Sequence, residues 1–320
     1  MSRAALAHLL AAASLLLLVA VALTEAAPLE RLALLRQDAM ERAILLHIRA
    51  PGLILAALTG AALGLAGTVL QVMLRNPLAS PDIIGFGAGS AAGASAAILL
   101  SGSMAGAVPG ALAGGALAAG LVVALGWRDG ISPLALILIG VAISLMLTTA
   151  TDLMLSVSPA ILAGEMARFL TGSFAGADLT AIGVLALATV FGGAVLARLG
   201  HSVESLALGD DLAISLGLHP DRIRLAAAGV AALLMAVTVA FAGPLPFVAF
   251  LAGPIARAAA GRPGTLLTLS ALVGAVLAVG ADILSGLAIA GARLPAGVFT
   301  ALVGGPMMLA LLLRLREDRG

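Results

Sequence analysis

Leu53–Leu74 reads LILAALTGAALGLAGTVLQVML and stops at Arg75-Asn76-Pro77. The run carries no charge, and a helix needs about 20 apolar residues to cross roughly 30 Å of hydrocarbon. Only Gln71 breaks its apolar character strongly. Read outward from this run, the chain repeats the same pattern. Apolar stretches lie at about 4–23, 53–74, 83–100, 105–125, 133–153, 179–199, 223–241, 245–260, 266–284 and 295–313, separated by Gly, Pro, Arg or Asp clusters. The expectation is an all-α polytopic membrane protein with about ten transmembrane helices.

Composition supports this. Of 320 residues, 62% are apolar and 10% charged, against roughly 25% charged in soluble domains. Mean hydropathy is +1.17. The absence of Cys excludes disulfides, thiolate metal sites and Cys nucleophiles. All 17 basic residues are Arg. Without Lys there is no standard phosphate-binding P-loop, so ATP-driven work has to come from a partner chain. Aromatics make up only 3%, which leaves orientation to the arginines.

Placing the N-terminus in the cytoplasm puts Arg3, Arg75, Arg128, Arg198, Arg222, Arg224, Arg257, Arg262, Arg314, Arg316 and Arg319 inside. Arg31, Arg36, Arg42, Arg49, Arg168 and Arg293 then lie outside. An even number of spans returns the C-terminus to the cytoplasm. The first run, ending near Thr24-Glu25-Ala26-Ala27, also fits a cleaved signal peptide, which would leave nine spans.

The segment between the sixth and seventh spans, GHSVESLALGDDLAISLGLHPDRIR (200–224), predicts two short amphipathic helices. Gly209 closes one; Asp210 N-caps the other and Asp211 complements its dipole. Gly217 ends it and Pro220 blocks continuation. Leu206, Leu208, Leu212, Ile214 and Leu216 make this loop more apolar than a linker needs. A docking surface for another protein and a hairpin lying on lipid both fit. Gly60/Gly64 and Gly85/Gly89/Gly93 have the spacing of close helix packing. Gly243-Pro244-Leu245-Pro246 at its outer end and Gly253-Pro254 within it interrupt the eighth span, as a packing kink or as part of a pathway lining. Asp152 and Asp282 sit near the outer ends of their spans, and no chain of acids crosses the membrane as a proton-coupled pump would require.

The run LHIRAPGLILAALTGAALGLAGTVLQVMLRNPLASPDIIGFGAGSAAGA (46–94) resembles the signature region of FecCD-type permeases, the membrane subunits of bacterial ABC importers for iron–siderophore complexes, haem and cobalamin. The likeness continues through LILIGVAISLMLTTATDLM, RFLTGSFAGAD, LALGDDLAISLGL, FAGPLPFVAFLAGPIAR and RLPAGVFTALVGGPMMLALLLR, covering nearly the whole chain in order. The resemblance implies one transmembrane permease domain over 1–320 with a type II ABC importer fold, in the bacterial inner membrane, and no covalent catalysis. It implies cytoplasmic ABC ATPase subunits that hold the ATP and Mg, docked on a coupling loop at about 200–221. Leu206, Leu208, Gly209, Asp210, Asp211, Ala213, Leu216, Gly217 and Leu218 carry that role here. A periplasmic or lipid-anchored binding protein, a second permease subunit (itself or related) and membrane lipid complete the partners. No cofactor or metal in this chain, and no nucleic acid, is expected.

The sequence departs from the family pattern in places. Arg49-Ala50-Pro51-Gly52 has lost an Arg, Gly253-Pro254-Ile255-Ala256-Arg257 lacks a His, Phe169 replaces a Trp, and Arg293 stands where an acid is usual. Arg49 and Arg293 together are the expected docking site for an anionic patch on the binding protein. Gln71, Asn76, Ser144, Thr148, Gly172 and Ser173 are the expected path lining. Iron(III)–siderophore is the expected cargo, with haem or cobalamin open. A proton-coupled secondary transporter and a non-transporting assembly protein are the readings from other classes.

Overall fold

The computed structural model describes residues 2–24, 45–127, 132–286, 288–289 and 292–317. Among them run α1 (Arg3–Thr24), α2 (Ala50–Met73), α3 (Phe86–Ser101), α4 (Ala107–Gly126), α5 (Pro133–Val157), α6 (Ala160–Leu170), α7 (Leu179–Leu206), α8 (Asp210–Ser215), α9 (Pro220–Ala242), α10 (Val248–Ala260), α11 (Leu267–Gly286) and α12 (Ala296–Glu317). Seven stretches are long and apolar enough to cross a bilayer, and three shorter apolar helices, α3, α10 and the first part of α12, fill the remaining predicted spans. Every apolar run in the sequence is therefore a helix. Arg31, Arg36, Arg42, Arg128 and Arg319 lie outside the described residues.

Helix α2 is the hub. It packs on α7, α9, α10 and α11 and is buried along most of its length. In lipid no hydrophobic drive pushes apolar helices together, so close packing of small residues must do it. Gly60 lies against the Gly274 backbone of α11, Gly64 against Ser270, and Gly67 against Ala249 of α10. Gly89 and Gly93 of α3 meet Gly114 and Gly110 of α4 in the same manner. The predicted third member, Gly85, does something else. It takes a left-handed φ of +90° at the N-cap of α3 and touches Gly140 of α5.

Two elements differ from expectation. α6 falls in a stretch predicted to be irregular; it starts after Pro159 and buries Met166 beside Ile98 and Ala107. Span three starts late, because residues 74–85 run without a regular helix from the end of α2 to Gly85. Ile84 and Gly85 lie against Gly140 of α5, and the Ser144 hydroxyl approaches the Asp82 carbonyl at 3.5 Å. Residues 140–144 are well inside a 25-residue span, so this linker dips to membrane depth. Irregular backbone survives there only when covered by protein or water, and Ala79, Ser80 and Ile84 are buried.

The hub makes a stability prediction. A branched side chain at Gly64 collides with the Ser270 backbone, which has no rotamer to yield. Gly64→Val is expected to cost about 2–3 kcal/mol and to lower the melting temperature in detergent. Gly120→Ala, at a helical position with open space around it, is the matched control and should leave the melting temperature unchanged or raised.

Candidate functional site

Arg75 ends α2 in a conformation that glycine normally supplies. Its φ is +51°. The Arg75 and Asn76 amides donate back to Val72 (3.2 Å) and Gln71 (3.0 Å), the pattern that closes a helix through a left-handed residue. An L side chain there costs about 1–2 kcal/mol, so Arg75 needs a compensating role. Its Nε donates to the Leu206 carbonyl at 2.9 Å and its guanidinium to Asp210 Oδ1 at 2.8 Å.

Asp210 also receives Arg224, which donates to both carboxylate oxygens at 2.6 and 2.9 Å. The Arg224 side chain is only 2% exposed, whereas Asp210 is 41% exposed. The forked Arg224 hydrogen bonds foremost, then the charges of Arg224 and Arg75, hold the Asp210 carboxyl below the usual carboxylate range. One carboxylate thus ties together the end of α2, the end of α7, α8 and the start of α9.

The predicted loop is reshaped accordingly. The first of its two short helices does not exist separately, because α7 continues unbroken to Leu206. Asp210 is not the N-cap: Gly209 holds that position at φ +125° with no side-chain bond, and the Asp210 carboxylate is committed to the arginines. Gly217, at φ +78°, ends α8 as expected, with Gly217 donating to Ile214 and Leu218 to Ala213. Leu206 and Ala213 are buried anchors and Leu218 packs on the core. Leu208 (71%), Leu212, Ile214 and Leu216 (61%) are exposed, together with Asp211. An anchored helix therefore shows an apolar edge at the Arg75 end of the bundle.

The expected path residues separate into two groups. Gln71 is 3% exposed and faces the subunit interior. Its amide donates to the Phe250 carbonyl at 2.8 Å and accepts from Arg257 at 2.6 Å. Pro254 has no N–H for the carbonyl four residues earlier, and Gln71 satisfies that carbonyl. Arg257 also reaches the Thr68 hydroxyl at 3.2 Å. Asn76 is likewise occupied: its side chain accepts from the Leu78 amide at 2.9 Å and shapes the linker. Gly172, at φ +69°, is buried against the Pro244 carbonyl. Ser144 and Thr148 instead share one face of α5 with Asp152, at successive i, i+4 positions. Ser144 is half-buried and the other two are exposed among Leu138, Val141, Leu145 and Met146. A polar stripe on an uncovered span is costly against lipid.

At the opposite end, Arg49 and Ser173 line an open cavity of about 200 Å³ together with Gly52, Phe174, Asp282 and Ser285. Arg293 lies on a two-residue strand paired with Ala288, beyond α11; its side chain lies outside the described residues.

The FecCD transport family matches residues 9–314. The chain belongs to that family. The ferric enterobactin transport system permease protein FepG of Escherichia coli (strain K12) is 35% identical over 83% of this chain and 81% of its own. The achromobactin transport system permease protein CbrC of Dickeya dadantii (strain 3937) is 34% identical over 98% of this chain and 92% of its own. A solved structure, described as an inward-facing conformation of a metal-chelate type ABC transporter, superposes with a TM-score of 0.86 at 26% identity, over 96% of this chain and 98% of that one. The fold of this FecCD chain is thus that of a multi-pass ABC permease. The Asp210 clamp was missed from sequence, and a left-handed Arg has no sequence signal.

Removing the clamp carboxylate takes the forked acceptor away from the buried Arg224. Asp210→Ala should cost roughly 1–2 kcal/mol, less than a fully buried pair because Asp210 is partly exposed. Faster hydrogen exchange of the 207–219 amides is the readout. A lowered folded-state pKa means the contribution is present above the ordinary Asp range, about 3.9, and is lost as pH falls through the depressed value. Exchange protection of this loop should then hold constant from about pH 5 to 8, after correction for intrinsic exchange.

Proposed function

We propose that this chain is the permease subunit of an ABC importer that carries an iron(III)–siderophore complex across the bacterial inner membrane. The observation that carries the mechanism is the exposed apolar edge of α8, held by Asp210 to the ends of α2 and α9. Cytoplasmic ATPase subunits, which bind ATP and Mg, grip Leu208, Leu212 and Leu216; their closure pulls on α8. Because Arg75 and Arg224 both hold Asp210, the pull reaches two spans at once and changes which side the path faces. The ferric-chelate cargo is supported by the names of the relatives, FepG and CbrC. Both termini lie in the cytoplasm, as the arginine distribution favours.

A second permease subunit, a copy or a relative, faces the Ser144–Thr148–Asp152 stripe and encloses the path between the two. Weak, distributed polar groups suit a bulky cargo that must be released again. At the outer face the binding protein presents carboxylates to Arg49 and Arg293. No covalent step occurs in this chain.

Two measurements test this. Proteoliposomes holding the permease, its ATPase and the binding protein should accumulate labelled iron–siderophore only with ATP inside the ATPase-accessible compartment. Uptake driven by a pH gradient without ATP would contradict the importer, and transport of haem or cobalamin but not the ferric chelate would contradict the cargo. In nanodiscs, Arg49→Ala and Arg293→Ala should each weaken binding-protein affinity about fivefold at low salt and flatten its salt dependence. Unchanged affinity and salt slope in both variants would remove the docking assignment.

A further inference from the structure

Helix α1 is the least embedded span: only Ala7 and Ala22 are buried along it among residues 3–20 and 22. It leans on α10 and α11 through small side chains, with Ala7 packed among Ala252, Ala256 and Ala260. Beside that contact the helices do not close. A groove of about 420 Å³ runs between them, lined by Leu6, Leu10, Ala11, Ile255, Ala259 and Val273, with Arg3 at its mouth. From Arg3 to Ser14, the last α1 residue lining it, a helix rises about 16 Å, which is close to one leaflet of a hydrocarbon core of roughly 30 Å. A second, almost wholly apolar cavity of about 250 Å³ continues past Leu18, Val276 and Leu277.

The mouth is cationic and its groups are fixed. The Arg3 guanidinium lies against Gly261 and donates to the Ala258 carbonyl at 3.4 Å. Arg262 follows Gly261 in the same turn and is exposed. His8 holds α1 to the start of α11 through the Thr268 hydroxyl at 3.0 Å. The nearby Glu204 carboxylate accepts from the Thr265 amide and hydroxyl, at 2.9 and 3.1 Å, and so is already engaged. Arg257 points inward to Thr68 and Gln71. A leaflet-long apolar groove that ends at Arg3, with Arg262 next in sequence to the Gly261 that Arg3 lies against, is complementary to a molecule with an acyl tail and an anionic head. Zwitterionic bulk lipid fills the groove equally well but gains less from the arginines, because its amine offsets the phosphate charge.

We propose that this groove is a binding site for an anionic phospholipid, one acyl chain lying between α1, α10 and α11 and the phosphate received by Arg3 and Arg262. Its occupant serves as packing that the small residues of α1 leave out, and fastens α1 to the bundle.

The test uses the purified full chain in detergent, with dioleoyl-phosphatidylglycerol and dioleoyl-phosphatidylcholine as probes, read by native mass spectrometry. Wild type should retain phosphatidylglycerol in preference to phosphatidylcholine. An arginine near the surface is worth about fivefold in anionic lipid binding, so Arg3→Gln with Arg262→Gln should lose most of that preference. Ala259→Phe, which fills the groove from an exposed position, should reduce retention of both lipids. Helicity by circular dichroism and elution volume establish that each variant is folded. Equal retention of the two lipids by wild type, or an undiminished preference in the double arginine variant, would overturn the proposal and leave annular lipid only.

Discussion

The close approach of α2 to its neighbours is the constraint on which the rest depends. Gly60, Gly64 and Gly67 let its backbone touch those of α10 and α11, and with no hydrophobic drive in lipid that contact is what centres the helix. Once α2 is central, its two ends become the two ends of the machine. Arg49 precedes it at the cavity shared with Ser173 and Asp282, and Arg75 follows it beside α8. Its 24 residues make a rod of about 36 Å joining the two faces at which the proposed partners act.

Polar groups inside the bundle follow one rule: each satisfies a defect created by another. Pro254 frees the Phe250 carbonyl and Gln71 takes it up; Gln71 in turn receives Arg257. The left-handed Arg75 is strained, and its side chain binds the Leu206 carbonyl and Asp210. Backbone strain of this kind persists only where the surroundings over-determine it, and here the surroundings are Leu206, Asp210 and, through Asp210, Arg224.

The spans were legible in the sequence because a membrane helix needs only length and apolarity, and α2, α5 and α9 carry both without ambiguity. The eleven residues of α6 were not, since a short amphipathic helix after Ser158-Pro159 looks like any loop at this composition. The exposed apolar edge around α8 was visible as an apolar excess around Leu208 and Leu216. Its clamp was not, because Arg75 and Asp210 are 135 positions apart and nothing local marks either as a partner. Gln71 attracted notice as a polar residue in an apolar run, but its function depended on Pro254 in a different span. That Ser144 and Thr148 share a face was legible, because their i, i+4 spacing belongs to one helix, where sequence and geometry carry the same information.

If the proposed pull is transmitted through Asp210, α8 and α2 move as one body when nucleotide closes the ATPases. Because the chain has no Cys, spin labels at Ser215→Cys on α8 and Ile54→Cys on α2, both exposed, report that distance directly on one subunit of the assembled transporter by pulsed electron resonance. One intrasubunit distance, unchanged with and without trapped ATP, is the expected result, while a Ser215→Cys pair across the two subunits shifts. An intrasubunit distance that changes on ATP trapping would mean that α8 swings free of α2, and would contradict transmission through Asp210.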